Sequence, residues 1–227
     1  MIPNRLKTIH SKLTKISKEQ IETLILPLLP KNKRGFKSRF NPIAIIQSII
    51  HKLKTGCQWR NLFADIEGVK YEFSYQTVFR FYRKWCEAGV WEKLYLAMLK
   101  LQKGKLDTKQ LNLDGTHTLV KKGAESTAYQ SRKKGRTSNI LIMTDGNGIP
   151  IALGPIQSGN HNDFYHLIPT FKGMLKTLKS CNISVENSIL NADKGFDSQS
   201  FRRSIWRRKM IPNIKENKRN RKKINRV

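Results

Sequence analysis

The chain has 227 residues, 38% of them apolar with ten Phe and four Trp, enough for one large or two modest domains with real cores. Lys and Arg number 44 against 16 acidic residues, a formal charge of +28 that points to phosphate backbones as partners rather than to a merely soluble surface. No run of about 18 apolar residues exists, which excludes a spanning helix, and Met1-Ile-Pro-Asn-Arg5 lacks the apolar stretch of a signal peptide.

Residues 1–105 read as helical and are expected to form a DNA-binding domain. Lys18 to Leu29 carries Ile21, Leu24, Ile25 and Leu28 at helical spacing, and Pro30 stops it. A basic loop follows from Lys31 to Arg39. Asn41-Pro42 opens a second helix as cap and first-turn proline, and Gly56 ends it. Its Ile43, Ile46, Ile49 and Ile50 lie broadly on one face. Gln58 to Phe63 is a candidate short helix. Ser74 to Cys86 is a third helix, with Val78, Phe81, Tyr82 and Trp85 on one side and Arg80, Arg83 and Lys84 mostly elsewhere. Val90 to Leu101 is a fourth. Short helices, a glycine turn and a basic, aromatic later helix suggest a helix-turn-helix arrangement in which Arg80, Arg83 and Lys84 meet DNA. The other reading of those three is a solvated face. Cys57, Cys86 and Cys181 are odd in number and scattered, so they read as reduced thiols in a cytosolic protein, and the five His show no zinc spacing.

Past Lys105 the pattern changes to strands, over 111–120, 139–144 and 149–156, with Asp145-Gly-Asn-Gly148 as a hairpin turn between the last two. Phe164 to Leu178 has helical period. Strand 188–193, a basic helix over 198–209 and strand 210–214 complete an α/β layered domain over 106–215, before a basic tail over 216–227. The order is the front portion of an RNase H-like fold, which would then lack its last helix or helices.

Two apolar runs each end in a carboxylate with Gly close behind: Leu111-Asn-Leu-Asp114-Gly115 and Ile189-Leu-Asn-Ala-Asp193-Lys-Gly195. Glycine reads as the turn that ends each strand, placing Asp114 and Asp193 where an open α/β sheet builds its site. Phosphodiester cleavage is served by hard cations, Mg²⁺ or Mn²⁺, held on carboxylate oxygens. The alternative is that each Asp only caps a turn. Asp197 is expected to cap the helix from Ser198, and Asn162 or Asp163 the helix from Phe164. His117 and His161 are possible substrate-facing residues, with packing as the alternative for His117. Lys121, Lys122, Arg132, Lys133, Lys134 and Arg136 flank the proposed site in sequence and are candidates to hold phosphates.

Six short motifs in order carry a resemblance. Thr55-Gly-Cys-Gln-Trp-Arg-Asn-Leu62, Gln76-Thr-Val-Phe-Arg-Phe-Tyr-Arg-Lys-Trp85, Leu113-Asp-Gly-Thr-His117, Thr144-Asp-Gly-Asn-Gly-Ile-Pro150, Ser158-Gly-Asn-His-Asn-Asp163 and Asn191-Ala-Asp-Lys-Gly-Phe-Asp197 are similar to a DDE transposase of small bacterial insertion sequences, in the insertion-sequence-five branch. The resemblance implies that Asp114 and Asp193 are the first two members of a metal-binding Asp-Asp-Glu triad. It implies terminal inverted repeats as the DNA substrate, strand cleavage followed by transfer, a homo-oligomer, and a cytoplasmic, nucleoid-associated protein. Phe63 departs from the family's usual Pro. Family members continue beyond the basic stretch into a helix carrying the catalytic Glu. Glu216 is not expected to be that residue, so a truncated chain or the first part of a frameshifted product is expected. The alternative is an inactive DNA-binding protein competing at the repeats.

Overall fold

The computed structural model describes residues 16–30, 40–62, 73–120 and 126–217. It divides into two compact units, Met1–Met98 and Leu99–Val227. The basic loop over 31–39, Phe63, Lys121, Lys122 and the tail beyond residue 217 lie outside the described residues.

In the first unit, Ser17 caps helix α1 (Lys18–Gln20) through a reciprocal box: its hydroxyl accepts from the Gln20 N–H, and the Gln20 side chain accepts from the Ser17 N–H. The predicted single helix to Leu29 does not form. The chain widens to a π turn over Ile21–Ile25 and then tightens to 3₁₀ over Leu26–Leu28. Pro27 is the physical cause, because it brings no N–H to the ladder and its ring crowds the carbonyl four residues back. Helix α2 (Pro42–Thr55) begins and ends where local chemistry directs. The Asn41 side chain accepts from the Ile43 N–H at 3.0 Å, and Gly56 closes the helix in the left-handed region at φ 69°. Helix α3 (Tyr75–Glu87) turns through Gly89, at φ 64°, into helix α4 (Val90–Gln102). Ile45, Ile46 and Ile49 of α2 meet Ile21, Ile25, Val78 and Trp85 in one core, with Leu62 and Val90. Fully burying each Ile contributes about 1.5–3 kcal/mol.

The second unit is a mixed sheet with helices on one face. Its strands are β1 (Gln110–Leu119), β2 (Ala128–Gln130), β3 (Gly135–Asp145), β4 (Pro150–Leu153), β5 (Gln157–Ser158), β6 (Ile189–Ala192) and β7 (Ile211–Ile214). The order is β2-β3-β1-β6-β7, with β4 and β5 also pairing β3. β1 and β3 are antiparallel; β1, β6 and β7 are parallel. Helix α5 (Leu167–Ser180) packs on β4 and helix α6 (Gln199–Trp206) on β7. Phe171 and Phe201 join the two helices edge to face, with ring centroids 5.2 Å apart. Leu111, Leu113, Leu141, Met143 and Leu190 are buried on the covered face. Alternation along the strands turns Asn112, Asp114, Asn191 and Asp193 to the other face.

Three local expectations are corrected. Helix α5 starts at Leu167, not Phe164, behind His166 in the left-handed region, with no side-chain cap; Asp163 bonds to Asn139 instead. Ser198, not Asp197, caps α6, through its hydroxyl on the Phe201 N–H. Gly115 does not end β1, which continues to Leu119 against β3. Glycine is required there for a different reason: a Cβ would overlap the Asp163 carboxylate.

Candidate active site

β1 and β6 pair in parallel up to Leu113 opposite Ala192. Asp114 is the next residue in β1, and Asp193 is the first residue beyond β6, at the cap of a 3₁₀ turn. Carried one step past the last pair, the register puts their Cα atoms about 5 Å apart, the spacing of neighbouring strands, with both carboxylates on the uncovered face. Both are exposed. Asp114 accepts from the Gly115 N–H at 2.8 Å through Oδ1. Asp193 caps the 3₁₀ turn Lys194–Phe196, accepting from the Gly195 N–H at 2.7 Å, also through Oδ1. Each carboxylate thus has one oxygen fixed by the chain and a second, Oδ2, with no hydrogen bond among the described residues. The turn-capping alternative holds for Asp193, whereas Asp114 lies inside β1 and caps no turn.

Beneath the pair runs a ladder of asparagines that sequence reasoning passed over. Register places Asn112, Asn191 and Asn213 side by side on β1, β6 and β7. The Asn213 amide donates to Asn191 Oδ1 at 2.7 Å, and the Asn191 amide to Asn112 Oδ1 at 3.0 Å. Asn112 donates in turn to Thr144 Oγ1 at 3.3 Å and to the Asp145 carbonyl at 3.2 Å. The chain of bonds ties β3, β1, β6 and β7 together two residues before each carboxylate. Its signal in the sequence is the recurrence of Asn-x-Asp at Asn112-Leu-Asp114 and Asn191-Ala-Asp193.

His117 lies an odd number of residues from Asp114, so it points to the helix-covered face. Its side chain is 7% exposed, with Nε2 3.9 Å from Asp163 Oδ1. That oxygen accepts from the Asn139 amide at 2.8 Å. Thr137 and Gln130 lie 3.4 and 3.3 Å from the ring nitrogens. Asn139 Oδ1 and Gln130 Oε1 are buried without a hydrogen-bond partner among the described residues. This cluster backs the strand at Gly115 and does not share the face of Asp114. His161 stacks on Tyr165, with centroids 3.6 Å apart.

The predicted cations are spread out. Arg132 and Lys133 lie in a 3₁₀ turn, and Lys134 follows in the left-handed region. Arg136 donates to Thr127 at 3.1–3.3 Å. Along β3, Arg136 is six residues from Ile142, the partner of Asp114, or about 20 Å at 3.4 Å per residue. Arg80, Arg83 and Lys84 are exposed on α3, with Arg83 3.6 Å from Glu87. Asp145 is fully buried and structural: its carboxylate accepts from the Asp107, Asn147 and Ile149 N–H groups at 2.9, 3.1 and 2.7 Å.

As a donor set, Asp114 and Asp193 fit a hard divalent cation, offering two carboxylates on one face with an oxygen to spare on each. Among the described residues, no group of three or more His, Cys, Asp or Glu side chains is placed to hold a metal.

The comparisons with known proteins bear on the helical unit. Residues 19–95 match the model of a family described as "putative transposase of IS4/5 family". About a third of the chain matches a transposase family. No curated protein matches. A solved structure, Mos1 transposase in a paired-end complex with left transposon end, is similar at a TM-score of 0.35 and 12% identity, over 81% of this chain. The chain spans 61% of the length of that transposase, and a likeness so slight carries no argument about the site. No helix among the described residues is long and apolar enough to cross a membrane.

Proposed function

We propose that the chain is a transposase polypeptide of an insertion sequence that binds terminal inverted repeats and takes part in metal-dependent strand cleavage and transfer. The observation that carries this reading is the placement of Asp114 and Asp193 side by side, on the uncovered face, where the parallel β1–β6 pair ends. The family match over residues 19–95 and the charge of +28 support it. Followed through β4, which pairs β3 beside the main path, the sheet runs β4-β3-β1-β6-β7, with antiparallel pairing up to β1 and parallel pairing after it, an order that supports an RNase H-like core.

In this reading the helical unit, over 1–105, docks on the repeats in helix-turn-helix fashion and the exposed Arg80, Arg83 and Lys84 meet the backbone. Residues 106–215 form the catalytic core. Asp114 and Asp193 would hold Mg²⁺ or Mn²⁺ through their spare oxygens. A divalent cation held there would supply the charge to activate an attacking oxygen and to neutralise a leaving one. The protein's own work is to fix the pair: Gly115 and Gly195 N–H groups orient each carboxylate, and the asparagine ladder sets the distance between their strands. The resemblance implies a Glu as third ligand, a homo-oligomer as the working form and a cytoplasmic location on the nucleoid.

The second reading is a DNA-binding protein without cleavage activity that competes at the repeats. It is favoured by the finding that the two aspartates have no third acidic partner among the described residues. Nicking of repeat DNA in Mg²⁺ or Mn²⁺ separates the two. The first reading expects nicking that Asp114→Ala and Asp193→Ala abolish while binding persists. Binding with no nicking in the wild type defeats it.

A further inference from the structure

An open cavity of about 570 Å³ lies between α5 and α6. Its wall is basic: Lys172 from α5, and Arg203, Arg207 and Arg208 from α6 and the turn after it, beside Ser200 and Ser204. Among the described residues, no acidic side chain lines it. Positions 200, 203, 204, 207 and 208 recur at helical spacing, so one face of α6 and its following turn supplies all five. The ion pairs among the described residues occupy other cations, including the neighbours Arg202 and Lys209. Lys172, Arg203 and Arg207 are exposed.

Arg208 differs from these three. Its Nη1 donates to the Ser204 carbonyl at 2.7 Å and hydroxyl at 3.1 Å, and its guanidinium lies 5.8 Å from the Phe171 ring centroid. Stabilisation of the helix C-terminus by positive charge explains Arg208. The same argument reaches Arg203 in the last turn and Arg207 at the C-cap, but it does not explain why Lys172 converges on them from α5 with no acid among the four. A concentration of like charge at one cavity costs self-repulsion unless an anion is bound there.

From this convergence we infer that the α5–α6 groove binds the phosphate backbone of duplex DNA, on the sheet face opposite Asp114 and Asp193. Arg203 and Arg207 are one helical turn apart, about 6 Å of rise. That separation lets the two reach neighbouring phosphates of one strand, which winds round the duplex while rising 3.4 Å or so along its axis for each charge. Arg208, held by Ser204 and Phe171, is the preorganised floor, and the three exposed cations are the rim. Because the sheet separates this groove from the carboxylates, the duplex in it is a stretch other than the one being cut. The identity of the polyanion rests on the proposed function; the groove itself does not.

The test uses the full chain and a duplex of arbitrary sequence, with binding read by fluorescence anisotropy across a salt series. The Lys172→Gln/Arg203→Gln/Arg207→Gln variant is expected to bind at least tenfold more weakly at low salt. Its slope of log K against log salt should be shallower by about 2–3, at roughly 0.9 for each phosphate that is no longer neutralised. Its melting curve should be unchanged, since the three side chains are exposed. The Lys172→Arg/Arg203→Lys/Arg207→Lys variant should keep the wild-type slope. A slope unchanged in the Gln variant overturns the inference. So does a Gln variant that keeps duplex binding but loses affinity for phosphatidylserine vesicles, or for inorganic phosphate alone. Metal-dependent nicking is measured on the same preparations. Nicking that persists with an unchanged slope removes the groove and leaves the transposase reading. Absent nicking with the expected slope change removes the enzyme reading and leaves the groove.

Discussion

The bond between Asn191 and Asn112 is the joint that fixes the two carboxylate-bearing strands, and a double-mutant cycle measures it. The perturbations are Asn112→Ala, Asn191→Ala and the pair. The contact is a neutral amide–amide bond of 3.0 Å between half-buried side chains. A neutral hydrogen bond has a net value of about 0.5–1.5 kcal/mol, and partial water access offsets some of it. The coupling energy is therefore expected near 1 kcal/mol. The single Asn191→Ala change also strips the acceptor for the Asn213 amide, so it should cost about 1–2 kcal/mol and exceed the effect of Asn213→Ala. The readout is amide hydrogen exchange in β1, β6 and β7, which reports on this unit alone. A coupling below about 0.3 kcal/mol, within ordinary additivity error, refutes the claim that the ladder ties the strands.

Asp145→Ala should destabilise the protein by about 3–5 kcal/mol, because a buried carboxylate that accepts three backbone N–H groups leaves them all unpaired; denaturant unfolding measures this, and a loss below about 1 kcal/mol contradicts it. The backbone N–H of Asn217 and the guanidinium of Arg202 hold the Asp197 carboxyl below its usual range. A folded value below the unfolded one makes this contribution fully present above the unfolded pKa of about 3.9, and it is lost as pH falls through the folded value. Asp197→Asn should therefore flatten the loss of stability on acidification below about pH 4, seen in urea midpoints across that range. Neutralising Arg80, Arg83 and Lys84 together should weaken duplex binding and lower the salt slope by about 2–3; an unchanged slope means that this face of α3 does not meet phosphate.

The sequence was most legible where the determinant is local. Asn41-Pro42 and Gly56 bound α2 because capping and left-handed backbone depend on a few adjacent atoms. Asp114 and Asp193 could be placed together because both follow short apolar runs that can pair. Pro27 carried a readable signal for the break after α1, but the helical periodicity of the leucines and isoleucines around it obscured that signal. β2 was not legible: it has three residues, and only β3, beyond a connecting turn, gives it partners. The face of His117 could have been read from its odd separation from Asp114 along one strand. The contacts that keep it, Asp163 and Gln130, come from distant segments with no spacing rule to announce them. The asparagine ladder needed register across three strands, and register is set by tertiary pairing. The role of Asp145 was half visible: the Asp-Gly-Asn-Gly turn was predicted, while the bond to the Asp107 N–H came only from the fold.

The central claim is that Asp114 and Asp193 form one cation site. Titration of Mn²⁺ into the full chain, followed by the electron-spin signal of free metal, tests it most directly with wild type, Asp114→Asn and Asp193→Asn. The wild type should show a site that either single substitution weakens at least tenfold, with the melting curve retained. Wild-type affinity left intact by either substitution would contradict it.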